Sequence, residues 1–126
     1  MIKLIGRIEI KDGGVRIVTG WDLCRYYKWH IDKHFWGTVK TQLPKFGSHL
    51  SVILPLHKVQ DFTPVMHLNG RVVEFEIYPE KLYRSPRNFW IPAFIPIAQE
   101  IKDILGVKDD KNFYGNHITI SNFKFN

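Results

Sequence analysis

The chain has 126 residues, 44% hydrophobic and 24% charged, a profile that fits one globular domain and excludes a disordered chain. Eighteen Lys and Arg against 12 Asp and Glu leave a formal charge of +6, which favours a polyanionic partner without choosing among nucleic acid, nucleotide and acidic membrane. The single cysteine, Cys24, excludes an internal disulfide framework and a thiolate zinc site, and the longest apolar run, Phe89 to Ala98, is too short and too proline-broken to span a bilayer.

The first residues predict a hairpin. Ile2, Leu4, Ile8 and Ile10 alternate with Lys3, Arg7 and Glu9, so the apolar set lines one face of a strand. Asp12-Gly13-Gly14 supplies the turn, and Val15, Ile17 and Thr19 return. A helix is expected next, opened by a capping box between Thr19 and Asp22. Its apolar stripe is Cys24, Tyr27, Ile31 and Phe35, and Gly37 is its stop. Pro44 and Gly47 mark a loop before a strand from His49 to Leu54.

Residues 55–69, punctuated by Pro55, Pro64 and Asn69-Gly70, read as mostly loop. Arg71 to Tyr78 alternates, with Val73, Phe75 and Ile77 on one side and Glu74 and Glu76 on the other. Lys81 to Ser85 and Asn88 to Ile95 predict further strands, with Pro92 putting the latter at an edge or a bulge. A second helix starts at Pro96, carries the stripe Ile97, Ala98, Ile101, Ile104 and Leu105, and stops at Gly106. After a loop from Lys108 to Asn116, a final strand begins at His117. The expected class is α+β with mainly antiparallel sheet, in a single domain over 1–126. The opening Met1-Ile-Lys-Leu-Ile-Gly-Arg lacks the apolar stretch of a secretion signal, so a cytoplasmic protein without membrane association is expected.

Two segments repeat one pattern: His49-Leu50-Ser51-Val52 and His117-Ile118-Thr119-Ile120. In a strand, His49 and Ser51 point one way while Leu50 and Val52 anchor the other face, and His117 and Thr119 repeat the arrangement. One such motif reads as a half-buried strand histidine. Two, on neighbouring strands, would present two imidazoles and two hydroxyls together. Histidine titrates near ~6.5 and serves as general base or general acid at neutral pH without a metal or other cofactor. Hydroxyls of Ser51 and Thr119 suit the non-bridging oxygens of a phosphate held between the imidazoles. The four residues His49, Ser51, His117 and Thr119 are the candidate catalytic set, with the acid and base roles open.

These motifs, in the contexts Phe46-Gly-Ser-His-Leu-Ser-Val-Ile and Gly-Asn-His-Ile-Thr-Ile-Ser-Asn, resemble the 2H phosphoesterase superfamily. That group is defined by two His-x-Ser/Thr motifs and includes RNA ligase–like cyclic phosphodiesterases and phage enzymes that degrade cyclic oligonucleotide messengers of bacterial defence (anti-CBASS phosphodiesterases). The likeness is greatest to a compact, mostly phage-encoded, RNA-repair-like branch, and extends through Gly20-Trp-Asp-Leu-Cys-Arg-Tyr-Tyr over most of the chain at low stringency. The chain is shorter than many members and has Ser51 where Thr is commoner. The resemblance implies two pseudo-symmetric antiparallel lobes with outer helices around a central cleft. It also implies a metal-independent phosphodiesterase acting on a nucleotide or short oligonucleotide. The alternatives are an enzyme processing 2′,3′-cyclic phosphate RNA ends, a non-catalytic nucleotide sponge, and a basic RNA-binding domain.

A phosphate between two imidazoles favours further cations and a stacking ring nearby. Lys45, Arg84 and Arg87 are the candidate cations, and Trp36 and Tyr114 the candidate rings, whereas Trp90 reads as core. His30 and His34 lie four apart on the first helix, but with Lys33 adjoining and no glutamate between them they read as an exposed face.

Overall fold

A computed structural model describes residues 1–34, 41–45, 47–108 and 116–123. Strands β1 (Ile2–Lys11) and β2 (Gly14–Val18) form the expected hairpin, paired from Arg7↔Val18 to Lys11↔Gly14. Its two-residue turn places Asp12 and Gly13 at φ 53° and 77°, the left-handed pair such a hairpin needs. Helix α1 (Trp21–His34) follows. The expected capping box does not form: the Thr19 hydroxyl bonds Ser48 Oγ and the Gly20 carbonyl. Ser48 is buried and also meets Cys24 Sγ at 3.2 Å, so burial of Ser48, not the helix amides, takes the Thr19 hydroxyl.

The remaining strands are β3 (Thr41–Gln42), β4 (His49–Ile53), β5 (Val72–Ile77), β6 (Tyr83–Arg84), β7 (Asn88–Phe94) and β8 (His117–Phe123). Helix α2 (Pro96–Leu105) joins the last two, with proline in its first turn and Gly106 at φ 69°, its N–H bonded to the Lys102 and Asp103 carbonyls. Short 3₁₀ turns at Pro55–His57, Thr63–Leu68 and Pro79–Lys81 order the connections.

Every pairing is antiparallel, in the order β3-β8-β4-β2-β1-β5-β7-β6, and β7 also pairs with β8. That extra pairing, from Asn88↔Asn122 to Pro92↔His117, closes β8, β4, β2, β1, β5 and β7 into a six-stranded barrel. β3 and β6 are extra strands on β8 and β7. The expected α+β arrangement of two pseudo-symmetric lobes around a central cleft is therefore overturned. The molecule is mostly sheet, and the two strand groups share one closed wall. The cause is the meeting of β7 and β8: periodicity specifies each strand, but not which edges join, and closure removes both exposed edges. Pro92 is corrected likewise. It lies in an inner barrel strand, at the point where β7 changes partner from β6 at Phe89 and Trp90 to β5 at Ala93 and Phe94. The missing N–H costs no ladder bond there, while its carbonyl accepts the Tyr78 N–H at 3.0 Å.

The barrel interior is filled by Ile8, Val15, Ile17, Leu50, Phe75, Ile77, Ile91, Ile118 and Ile120, all fully buried. Each contributes on the order of 1.5–3 kcal/mol by leaving water. Helix α2 packs on β4 and β5, which lie opposite each other in the six-strand ring, and so closes one end with Ala98 and Ile101. Helix α1 packs on β8 and β3 through Cys24 and Ile31. At Gly6 the wall is tight: a Cβ there would sit 2.5 Å from Ile17 Cγ2 and 3.0 Å from the Val18 carbonyl oxygen. Because the inside is full, most polar strand residues are turned onto the outer wall; Ser121 of β8, paired with the inward-facing Phe89, and Thr41 of β3 are buried.

Candidate functional site

The pleat decides which side chains meet. Residues directly paired across an antiparallel ladder share a face. One row on the outer wall starts at Arg7, paired with Val18, which is paired with His49. Extending the Leu50↔Ile118 pair by one residue sets Thr119 across from His49, and the row continues through Trp90 to Tyr83. The adjacent row runs Glu9, Arg16, Ser51, then His117 by the same extension, then Pro92. A bulge in β4 sustains this register: Val15 pairs with Ile53 but Arg16 with Ser51, so Val52 and Ile53 are both buried and the hydroxyl stays outside. The two motifs thus form a block of four on neighbouring strands, each histidine facing the other motif's hydroxyl. All four candidate catalytic residues are brought together, on a barrel wall and not between lobes.

His49 is half-buried, and its Nδ1–H donates to the Gly47 carbonyl at 3.0 Å. A carbonyl only accepts, so this bond fixes the proton on Nδ1 and leaves the Nε2 lone pair for chemistry. The carbonyl is aimed by Gly47 itself, at φ 95°, in a turn whose N–H returns to the Pro44 carbonyl at 3.3 Å. Burial pushes the His49 pKa down, and the positive charges of Arg16 and His117 push it further, against the raising effects of the Gly47 bond and Glu9.

His117 has a different setting. Its ring lies 5.0 Å from the Trp90 ring, tilted by 52°, and Trp90 in turn stacks on Tyr83 at 4.7 Å and 23°. Trp90 is therefore a wall residue beside the histidine, not the core residue its sequence suggests. Phe89 and Ile91, its buried neighbours, mask the alternation that would have revealed it.

Arg16 is the other residue the sequence reading passed over. Its Nε and Nη2 reach Glu9 Oε1 at 2.8 and 2.7 Å, a pairing that holds the Glu9 carboxyl below its usual range. Glu9 thereby orients the guanidinium in the row of Ser51 and His117. The available signal was Arg16 standing between the inward-facing Val15 and Ile17, but only the β2–β4 register shows what it stands beside.

A cleft of roughly 920 Å³ opens along the His49–Thr119 row, lined also by Lys45, Gly47, Arg87, Asn88 and Asn122. Lys45 and Arg87 are thus gathered with His49 and Thr119, while Ser51 and His117 stand in the adjacent row, outside the cleft lining. The Lys45 N–H donates to Asn122 Oδ1 at 2.7 Å and the Asn122 amide bonds Asn88, tying the loop before β4 to β8 and β7. Arg84 does not line this cleft: it pairs with the inward-facing Phe89, its guanidinium lies over the Phe89 and Phe123 rings, and it lines a separate hollow beside Trp90 and Pro92. Trp36 and Tyr114 lie outside the described residues. His30 is exposed and packed edge-on against Tyr26 and Trp29. His57 accepts the Leu54 N–H on Nδ1 at 2.9 Å. Among the described residues no helix is long and apolar enough to cross a membrane, and no three His, Cys, Asp or Glu side chains converge.

Comparison with family models, curated proteins and solved structures gives no match.

Proposed function

We propose that the protein is a metal-independent phosphodiesterase of the 2H type, acting on a small nucleotide or oligonucleotide in the cytoplasm. The observation that carries this reading is the block of four: two His-x-hydroxyl motifs on paired strands, with each histidine across from the other motif's hydroxyl. In the proposed reaction, Nε2 of neutral His49 takes the proton from the attacking oxygen and His117 donates one to the leaving oxygen. Ser51 and Thr119 donate hydrogen bonds to the non-bridging oxygens, and Arg16, Lys45 and Arg87 offset the charge that builds up on phosphorus. With water as the nucleophile the substrate is a cyclic phosphate. With a neighbouring 2′-hydroxyl it is an internucleotide bond, a cyclic phosphate is the product, and the two histidines exchange roles. Fixing donor, acceptor and phosphate on one rigid wall supplies the orientation that such in-line chemistry needs.

The resemblance to phage members favours a cyclic oligonucleotide defence messenger as the physiological substrate, with RNA end processing as the rival. The test is incubation with cyclic di- and trinucleotides and with 2′,3′-cyclic nucleotides in EDTA, products being followed by chromatography. Turnover of the cyclic messengers is expected. Turnover of 2′,3′-cyclic nucleotides alone would favour the end-processing role, binding without turnover would identify a sponge, and complete loss of activity in EDTA would sink the metal-free mechanism.

A further inference from the structure

Beside His117, on the side away from His49, the wall holds a second hollow of roughly 620 Å³ lined by Lys81, Tyr83, Arg84, Ser85, Pro86, Trp90 and Pro92. Pro92 is the direct cross-strand partner of His117, and Trp90 is in ring contact with the same histidine. The hollow therefore adjoins the acid side of the proposed reaction. We propose that it is a nucleobase subsite, taking a purine of the nucleoside attached to the scissile phosphate. The proposal rests on the phosphodiesterase reading for what lies next door, but its binding chemistry stands on its own residues.

The stacked pair Tyr83–Trp90 gives the hollow a rigid aromatic wall, and Tyr83 keeps 48% of its surface exposed despite that stack. Proline rings at 86 and 92 supply further apolar surface without donors that would discriminate between bases. An exposed tyrosine on a two-residue strand contributes little to folding, whereas such a platform is what a base seeks, since every base offers a π-face. Lys81, exposed on the rim, supplies an N–H donor for a ring nitrogen or exocyclic oxygen and a positive charge for a flanking phosphate. Arg84 and Ser85 also line the hollow, but the Ser85 hydroxyl is taken up by the Arg87 and Asn88 backbone and the Arg84 guanidinium lies over the Phe89 and Phe123 rings, so stacking dominates and gives a preference for large rings over small ones.

The test is equilibrium binding by calorimetry, using adenosine 3′-monophosphate, uridine 3′-monophosphate and the base-less ribose 5-phosphate. Wild-type protein should bind the adenosine probe about tenfold or more tighter than ribose phosphate, with uridine between. Tyr83→Ala should erase most of that difference while leaving ribose phosphate affinity unchanged, and Trp90→Ala, whose ring also touches His117, should erase the difference between the two probes. Trp90→Phe should retain most of it, which separates stacking from a folding defect. Equal affinity for adenosine and ribose phosphates, or wild-type adenosine affinity in Tyr83→Ala with its fold intact, would overturn the subsite. The two readings fail separately. Base-dependent binding without cleavage of any nucleotide refutes the catalytic reading alone, and full cleavage with no base dependence refutes the subsite alone.

Discussion

β4 and β8 carry the same His-apolar-hydroxyl-apolar pattern, yet the fold gives their histidines different surroundings. His49 is fixed by the Gly47 carbonyl and sits near Arg16, in a setting that keeps it neutral. His117 lies against Trp90, at the mouth of an aromatic hollow. The difference teaches that a repeated motif supplies the reactive group, while its neighbours across the sheet set the task. In the proposed hydrolysis, removal of a proton falls to the histidine whose tautomer is fixed and whose charged form is disfavoured. In the same proposal, proton donation falls to the one beside the rings.

The strongest way to break this comparison is to delete each ring. His49→Ala and His117→Ala should each lower kcat/KM by about 10²–10⁴-fold, the usual worth of a general acid or base, with circular dichroism unchanged. The two variants should differ in what restores activity. A substrate whose leaving group needs no protonation, such as a nitrophenyl ester, should rescue His117→Ala and not His49→Ala. Rescue of both, or of neither, would remove the division of roles.

Next in size are the groups held between the rings. Ser51→Ala and Thr119→Ala should each cost up to about 10²-fold in kcat, with smaller changes in KM, because a donor aimed at developing charge acts mainly in the transition state. Arg16→Gln should cost about 10–100-fold in kcat/KM, the range for a lost charge-assisted hydrogen bond. Arg16→Gln should also raise the titration midpoint of His49, observed by NMR, since its positive charge is one of the causes lowering it. Glu9→Gln should lower the midpoint, the Glu9 charge having the opposite sign of effect.

Much of this was legible locally. The β1–β2 turn, the α2 boundaries at Pro96 and Gly106, and the inward sets of β4 and β5 follow from periodicity and from glycine and proline geometry. The pairing of residues within each motif was legible too, since Leu50 and Val52 must be inside if His49 and Ser51 are outside. What the pattern could not carry was partner choice. Nothing in the residues of β7 and β8 says that their edges meet, and that meeting replaces two lobes by a barrel. Arg16 and Trp90 depend on the same information: an arginine between two apolar residues, and a tryptophan between two more, gain meaning only from what is across the ladder. The Thr19–Asp22 capping box failed for the same reason, because Ser48 is distant in sequence and adjacent in space.

The smallest effects concern stability and should separate the two strands cleanly. His49 has a folded pKa below its unfolded value near ~6.5, so the unfolded chain binds the proton more tightly. Its contribution to stability is complete above that value and is lost as the pH falls through the lowered folded midpoint. Urea melts of wild type and His49→Gln should diverge in their pH dependence across this acid range, and parallel curves would contradict the assignment. Gly47→Ala forces a side chain into the left-handed region at φ 95° and should cost about 1–2 kcal/mol. It should also weaken the Nδ1 bond to the residue 47 carbonyl, shifting His49 resonances and leaving those of His117 in place.

The central claim is that His49 and His117 face one phosphate. It is tested most directly by following the imidazole NMR signals of all six histidines during titration with adenosine 3′-monophosphate. His49 and His117 should shift together along one binding curve, while His30, His34, His57 and His67 stay still. Movement of one motif histidine alone, or of the two with separate affinities, would contradict a shared site.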